Sequence, residues 1–215
     1  RPDPILAPAG RVLSFQQRPE QAGSRPYTIP ELAMTRDLAA HYLEDVLLQL
    51  RKQKRLAERA LEQLADEDLF FQLDPESNSI AVIMQHLAGN MRSRWTDFLT
   101  SDGEKADRRR DAEFELRPGT DRSQVMAWWE EGWSIVFAAL APLGSDDLLR
   151  MVTIRGEPHT VLEAINRQLT HYANHVGQIV YIARHRRGSE WRTLSIPRGQ
   201  SRTFDVTREG ETTRI

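Results

Sequence analysis

The amino-acid sequence predicts an all-α protein that folds as a four-helix bundle of the kind built from long amphipathic helices. The first observation is that four long segments repeat their apolar residues at about 3.6-residue spacing, the period of an α-helix. The second is that these segments start or stop at residues that commonly cap helices. Because each segment carries one dominant apolar stripe, packing the four stripes together is the most economical way to bury them.

Helix 1 is predicted to start near Thr28 and to end near Leu64. Thr28 and Glu31 have the spacing of a capping box, and Pro30 between them suits the first helical turn. Apolar or small residues then recur at helical spacing: Ala39, Leu43, Leu47, Leu50, Ala57, Leu61 and Leu64.

Helices 2 and 3 each follow a residue that can cap a helix. Helix 2 is predicted over residues 79–100 with Ser79 as its cap, and helix 3 runs from Thr120 or Asp121 to residue 140. The expected buried residues of helix 2 are Ile80, Ile83, Met84, Leu87, Met91, Trp95 and Phe98. Those of helix 3 are Val125, Trp128 or Trp129, Trp133, Val136 and Leu140, a set whose tryptophans indicate core packing.

A small hairpin is predicted between helices 3 and 4, because a β-branched run at residues 152–154 is broken by Arg155 and Gly156. Helix 4 is predicted from Val161 to Arg187, where the apolar positions keep the helical period. Gly188 then supplies a natural stop.

The chain divides into three predicted regions. Residues 1–30 are rich in Pro, Gly, Gln and Arg and do not begin with Met, so we expect an extended or flexible N-terminal segment, an extension or a processed leader. Residues 31–200 hold the predicted bundle. Residues 201–215 form a polar C-terminal tail.

Composition excludes several classes of function. With 29 Lys and Arg against 31 Asp and Glu the net charge is −2, so we expect no nucleic-acid partner, and we interpret the basic runs 108–110 and 184–187 as solvated surface. The chain has no cysteine, which excludes disulfides and thiolate ligands. It also lacks an apolar run of membrane-spanning length and a signal-peptide pattern, which predicts a cytoplasmic protein without a membrane partner.

The segment "THYANHVGQIV", residues 170–180, places His171 and His175 one turn apart on one face of helix 4, at the border of the core. Such a pair can chelate one ion, although helical histidine pairs are also common as surface or hydrogen-bonded residues. His86 flanks the apolar stripe of helix 2 and offers a third ligand. Three imidazoles would leave a tetrahedral site open at its fourth position, as in catalytic sites.

Other metal motifs are absent from the sequence. It contains no Glu-x-x-His of the di-iron bundles, no His-Glu-x-x-His of zinc proteases and no phosphate-binding glycine loop. Asn90 and Gln168 are the candidates to orient the imidazoles through their free ring nitrogens, and Tyr172 is expected to pack in the core. The remaining histidines, His41, His159 and His185, are expected to stand outside the site.

Two segments, "SIAVIMQHLAGNMRSRWTDF" and "INRQLTHYANHVGQIVYIARH", resemble the DinB-like (YfiT-type) metalloprotein superfamily, in particular its branch of uncharacterised bacterial proteins. The resemblance covers roughly residues 35–200. It implies a four-helix bundle in which a histidine triad holds a divalent metal, commonly zinc or nickel. The matching positions in this sequence are His86, His171 and His175.

The resemblance also has implications for the function of the protein. Some members of the fold are thiol-dependent transferases or isomerases, which implies a metal-activated low-molecular-weight thiol acting on a small electrophilic substrate. Two alternatives stay open, namely a noncatalytic metal-binding or stress-related interaction module, with homodimerisation through exposed helix faces, and a metal-dependent hydrolase.

Overall fold

The computed structural model describes residues 38–214, and these residues are mostly helical. The described residues contain four α-helices: α1 (Leu38–Leu61), α2 (Ile80–Trp95), α3 (Arg122–Leu140) and α4 (Val161–Arg187). They also contain two antiparallel hairpins: β1 (Met151–Ile154) with β2 (Glu157–Thr160), and β3 (Phe204–Val206) with β4 (Thr212–Arg214). The prediction of four helices with a hairpin between the third and the fourth is confirmed.

Side-chain caps determine where α2, α3 and α4 begin. The Ser79 hydroxyl and the Asp121 carboxylate each accept a hydrogen bond from the N–H three residues further on, at 3.3 and 2.9 Å. Both predicted caps are therefore confirmed. At α4, Thr160 and Glu163 form a reciprocal capping box, and Gly188 with a φ of 53° ends the helix as predicted.

The structure corrects two predicted helix ends. Helix α1 stops at Leu61, slightly earlier than predicted, and its predicted capping box lies outside the described residues. The prediction that helix 2 continues to residue 100 is wrong, because α2 stops at Trp95 and Asp97 has a φ of 48°, which a right-handed helix does not allow. Phe98 is nevertheless buried, as its place in the stripe predicted.

Helix α2 lies at the centre of the core, where it packs against both α3 and α4, while α1 packs against α4 and touches α3. All the residues predicted for the α2 stripe are buried: Ile80, Ile83, Met84, Leu87, Met91, Trp95 and Phe98. The predicted α3 stripe is also buried: Val125, Trp129, Trp133, Val136 and Leu140. Trp128 is half-buried, so Trp129 is the tryptophan that faces the core at this position.

Tyr172 of α4 joins α2 through hydrogen bonds inside the core. Its hydroxyl accepts a hydrogen bond from the Trp95 indole N–H (2.8 Å) and donates one to Asn90 Oδ1 (3.3 Å). Because Tyr172 is fully buried, these partners remove the cost of burying its hydroxyl. The prediction that Tyr172 packs in the core is confirmed.

The loop after α2 holds the β1–β2 hairpin against the helices. Arg155 and Gly156 form its two-residue turn with positive φ values of 59° and 76°. The Asp102 carboxylate accepts both of their N–H groups at 2.8 Å, and Gly103 N–H donates to the Thr153 carbonyl at 2.8 Å. The hairpin is therefore fixed to the loop at its turn and along one strand.

The C-terminal hairpin β3–β4 was not predicted, since it lies within the segment predicted as a polar tail. It meets α1 through Arg55, whose guanidinium donates to the Glu209 carbonyl at 2.9 Å. A Cβ added at Gly210 would lie 3.1 Å from Lys52 Cε, so this turn packs closely against the Lys52 side chain. Among the described helices, none is both long and apolar enough to cross a membrane.

Two glycine-to-alanine substitutions should have opposite effects on stability. At Gly132, a Cβ would lie 2.9 Å from Met91 Sδ and 3.2 Å from the Ala88 backbone, so the close approach of α3 to α2 depends on the missing side chain. Gly132→Ala should lower the free energy of unfolding by about 1–3 kcal/mol. Gly177→Ala meets no atom within 4 Å and should raise it by roughly 0.5–1 kcal/mol through helix propensity.

Urea unfolding curves of the two variants and the unmodified chain measure this difference. An equal gain in stability for both variants would contradict the close α2–α3 contact.

Candidate metal centre

Three histidines from two packed helices meet at one point. His86 lies in the middle of α2, and His171 and His175 lie one turn apart on α4. One ring nitrogen from each lies within 4.8 Å of the others, close enough to hold a single metal ion. The expectation that these three residues converge is confirmed, and within residues 38–214 no fourth His, Cys, Asp or Glu joins the group.

The three rings are strongly inclined to one another, an arrangement that lets ring nitrogens converge. His171 Nε2 and His175 Nε2 are 3.1 Å apart, and their rings are nearly perpendicular at 86°. The His86 ring centre lies 5.1 Å from that of His175 and 5.5 Å from that of His171. Because Nδ1 of His86 and of His175 is engaged elsewhere, Nε2 is the nitrogen that each of these rings turns toward the group.

Burial controls the charge of the α4 pair. His86 is buried, whereas His171 and His175 are half-buried at the edge of the core. Burial lowers the pKa of His171 to about 3, and the nearby charges of His175 and His86 add to this effect. Burial also lowers the pKa of His175, and the hydrogen bond that His175 donates to Gln178 opposes this effect. Both imidazoles are therefore neutral near pH 7, with lone pairs free to bind a cation.

Glu113, in a short 3-10 turn of the loop between α2 and α3, orients His86. Its Oε2 lies 2.8 Å from His86 Nδ1. Arg108 donates two hydrogen bonds to the same carboxylate, from Nε to Oε1 at 2.7 Å and from Nη2 to Oε2 at 2.8 Å. Burial alone would raise the pKa of Glu113, but the hydrogen bonds from Arg108 and His86 lower it below its usual value. Glu113 is therefore ionised at neutral pH and acts as an acceptor.

Gly89 makes this contact sterically possible. A Cβ at Gly89 would come within 2.4 Å of Glu113 Oε1 and 2.7 Å of its Cδ, so the carboxylate lies directly on the helix backbone. Phe114, next to Glu113, stacks on the His86 ring with centres 4.8 Å apart. The loop thus covers the outer side of His86 with one charged and one aromatic residue.

Glu113 was not predicted as part of the site, and Arg108 was predicted to be exposed. Glu113 lies in a polar segment without periodicity, so nothing in its spacing related it to His86. The basic run 108–110 was interpreted as solvated surface, and for Arg108 this is wrong, because its side chain is only 5% exposed and pairs with both Glu113 and Glu104. The buried Glu113 carboxylate is the partner that stabilises Arg108 in the interior.

The predicted orienting residues on the helices are also corrected. Asn90 hydrogen-bonds to Tyr172 instead of to His86. Gln168 makes no hydrogen bond to His171, because Gln168 Oε1 and His171 Nδ1 are both buried without a partner among the described residues. The Nδ1 of His175 is instead hydrogen-bonded to Gln178, whose Oε1 lies 2.9 Å away.

A cavity of about 590 Å³ is lined by Gln178, the residue in contact with His175 Nδ1, but by none of the three histidines. It lies between α4 and the start of α2, and Ile83 and the exposed Tyr181 are among the side chains that line it. The other histidines stand apart from the group, as predicted: His159 lies on β2, and His185 stacks on Phe71.

Residues 37–200 match a family described as "Protein of unknown function (DUF1572)". The chain belongs to the DUF1572 family. The matched region contains α2, α4 and the intervening loop, and so includes the whole histidine group of this DUF1572 protein together with Glu113. No curated protein matches the chain.

The hydrogen bond to Glu113 predicts the tautomer of His86 in this DUF1572 protein. Since the ionised carboxylate can only accept, Nδ1 of His86 should carry a proton in the metal-free protein at neutral pH. Long-range proton–nitrogen correlation spectra of labelled protein would show this nitrogen in its protonated state. In Glu113→Ala the acceptor is lost, and the imidazole should become a mixture of both tautomers.

Glu115→Ala is the matched control, since Glu115 is exposed and lies only two residues away. Its spectrum should equal that of the unmodified chain. An unprotonated Nδ1 in the unmodified protein would contradict the assigned role of Glu113.

Proposed function

We propose that this protein binds one divalent metal ion, zinc or nickel, through His86, His171 and His175, within a four-helix bundle of the DinB-like (YfiT-type) kind. The convergence of three ring nitrogens within 4.8 Å is the observation that carries the proposal. Neutral imidazoles suit both metals, so the donor set alone does not separate them.

The residues present fit such an ion. Two ligand nitrogens on a tetrahedral zinc are about 3.3 Å apart for bonds of about 2.0–2.1 Å. The observed separation of His171 and His175 Nε2 is 3.1 Å. Two neutral imidazoles gain no stabilisation from placing these nitrogens so close, unless one donates a hydrogen bond to the other or both bind a cation. The contact of His86 with Glu113 is the carboxylate–histidine pairing that commonly supports metal ligands.

We further propose that the protein is a thiol-dependent transferase acting on small electrophiles. Three protein ligands leave one coordination position on the ion free for a low-molecular-weight thiol. The charge of the ion would lower the pKa of a thiol held there. The chain has no cysteine, so the thiol must come from outside. The cavity of about 590 Å³ beside Gln178 supports a small-molecule substrate, since its volume lies within the range of ligand pockets.

Two other functions remain as alternatives. The first is a noncatalytic metal-binding or stress-related module that forms a homodimer. Two exposed apolar side chains at the β1–β2 hairpin support it, Leu149 just before β1 and Met151 at the start of β1. A metal-dependent hydrolase needs a free acid or base near the ion. Glu113 is the carboxylate in contact with the group, and Arg108 and His86 already occupy it, so the contacts favour the hydrolase least.

Metal analysis tests the binding proposal directly. Protein purified without a histidine tag should hold about one equivalent of divalent metal. His175→Ala should weaken the affinity by more than about 100-fold, because a ligand is lost and not merely reoriented. Its helicity by circular dichroism should stay close to that of the unmodified chain, since the buried apolar stripes carry the fold.

His185→Ala is the control, a histidine on the same helix outside the group, and it should bind metal normally. Unchanged affinity in His175→Ala would remove the metal proposal. Loss of helicity together with metal would instead mark the ion as structural.

Thiol dependence tests the catalytic proposal. Metal-loaded protein should consume an electrophile such as chlorobimane only when a small thiol is supplied, and a panel of bacterial low-molecular-weight thiols would identify which one. Stripping the metal, or replacing His175 by Ala, should return the rate to the uncatalysed background. Background rates for all thiols with fully loaded protein would defeat the transferase and favour the binding module, whereas turnover without thiol would favour the hydrolase.

A further inference from the structure

The cavity of about 590 Å³ between α4 and the start of α2 has no charged side chain in its lining. Its polar lining consists of Ser77, the phenol of Tyr181 and three carboxamides, those of Asn78, Asn174 and Gln178. A charged molecule would lose hydration here and gain no opposite charge, whereas an uncharged molecule avoids this cost. The lining therefore favours an uncharged ligand.

The three carboxamides have unused hydrogen-bond donors. The side chains of Asn78 and Asn174 form no hydrogen bond with any residue in the range 38–214. Gln178 accepts a hydrogen bond from His175 through Oε1, and its Nε2 has no acceptor in the same part of the chain. Each of these NH₂ groups can donate to a ligand, so a molecule with a carbonyl or similar acceptor oxygen would match them.

Two large apolar side chains are exposed beside these carboxamides. Leu73 is 41% exposed and Tyr181 is 67% exposed, and both line the cavity together with the buried Ile83 and Ile182. A ligand that covers Leu73 and the Tyr181 ring removes apolar surface from water, which is favourable. The cavity therefore favours a ligand that combines an apolar body with an acceptor oxygen.

Gly177 leaves space in the cavity lining that helix packing does not require. A Cβ added at Gly177 would meet no atom within 4 Å, whereas at Gly132 and Gly89 it would lie 2.9 and 2.4 Å from its nearest neighbour. Glycine destabilises the interior of a helix relative to alanine. A glycine without a packing role inside α4 is consistent with a need for open space at this position.

The cavity is adjacent to the histidine group, although none of the three histidines lines it. Gln178 belongs to both places, because it lines the cavity and its Oε1 lies 2.9 Å from His175 Nδ1. Two further lining residues are close to the ligands in the helices, since Asn174 precedes His175 and Ile83 lies one turn before His86. One side chain thus joins the cavity to the candidate metal centre.

We propose that this cavity binds the electrophile of the transferase, and that this electrophile is an uncharged small molecule with an apolar body and a carbonyl-like acceptor. Gln178 donates to that acceptor through Nε2 while its Oε1 holds His175, so it is a positioning residue for the metal ligand. The reaction assigned to the ligand rests on the function proposed above. Binding in the cavity does not, because metal-free protein suffices to measure it.

Benzamide, benzoate and benzamidinium test the class of ligand, because they have nearly the same shape and differ in charge. Benzamide added to the chelator-treated, isotope-labelled full chain should give saturable shifts of the backbone amides of Asn174, Gly177 and Gln178. The Nδ1 signal of His175 should shift with them. Benzoate and benzamidinium should bind at least about ten-fold more weakly. No binding of benzamide, or equal binding of either ion, would overturn the proposal.

Gly177→Leu tests the location of the ligand, because it fills open space and removes no hydrogen-bonding group. It should weaken benzamide binding by roughly ten-fold or more, since a close-packed site cannot hold both groups. Its circular dichroism spectrum should stay unchanged. Thr170→Leu is the matched control, at an exposed position of α4 outside the lining, and should bind benzamide normally. Undiminished binding in Gly177→Leu would place the ligand elsewhere and refute the proposal.

Two substitutions at Gln178 separate its two contacts. Gln178→Glu keeps an acceptor for His175 but loses the N–H donors, so benzamide binding should weaken by about three- to ten-fold. Its zinc affinity should stay close to that of the unmodified chain, because a carboxylate also supports a metal-binding histidine. Gln178→Leu loses both groups and should weaken the binding of benzamide and of zinc.

Full benzamide affinity in Gln178→Glu would contradict the donor role of Gln178. Unchanged zinc affinity in Gln178→Leu would contradict its positioning role. If the unmodified chain binds benzamide but not zinc, the metal proposal fails and the site for an uncharged ligand stands.

Discussion

Burial of α2 on almost every side is the constraint on which the candidate site depends. Thirteen of its sixteen residues are buried, so polar side chains on this helix cannot rely on water for hydrogen bonds. His86 meets Glu113, Asn90 meets Tyr172, and the Ser93 hydroxyl donates to the Gly103 carbonyl. Arg94 is the exception, because its Nε and Nη1 have no hydrogen-bond partner among the described residues and its Nη2 lies 3.6 Å from Glu104.

The loop between α2 and α3 provides most of these partners. It supplies Glu113 to His86 and the Gly103 carbonyl to Ser93, and through Asp102 it holds the turn of the β1–β2 hairpin. The Glu113 carboxylate can lie against the backbone of α2 because Gly89 has no side chain there. The geometry of the histidine group and the position of the β1–β2 hairpin therefore depend on one connection.

Helix α4 contributes the other half of the site through its position at the edge of the core. Its apolar line, with Tyr172 and Val176, is fully buried against the other helices, while His171 and His175 lie half-buried beside it. This partial burial keeps both imidazoles neutral without closing them off. Gln178, which contacts His175 Nδ1, also lines the cavity between α4 and the start of α2, whereas the three histidines themselves do not line it.

Periodicity within helices was enough to predict much of this protein. The limits of α4, the caps Ser79 and Asp121 and the buried stripes follow from spacing along one helix. Spacing also placed His171 and His175 on one face and His86 beside the α2 stripe, and the resemblance to the DinB-like superfamily implied that the three converge. The end of α2 at Trp95 did not follow, because the stripe continues to Phe98 while the backbone turns at Asp97.

Tertiary structure alone decided the partners of the polar groups. Glu113 and Gln178 replaced the expected Asn90 and Gln168, and Arg108 moved from the predicted surface into the interior. A hydrogen bond depends on the path of a loop and on side-chain rotamers, neither of which leaves a regular pattern in sequence. Helical spacing specifies which side of a helix a residue occupies, but only the folded chain specifies which atom lies opposite.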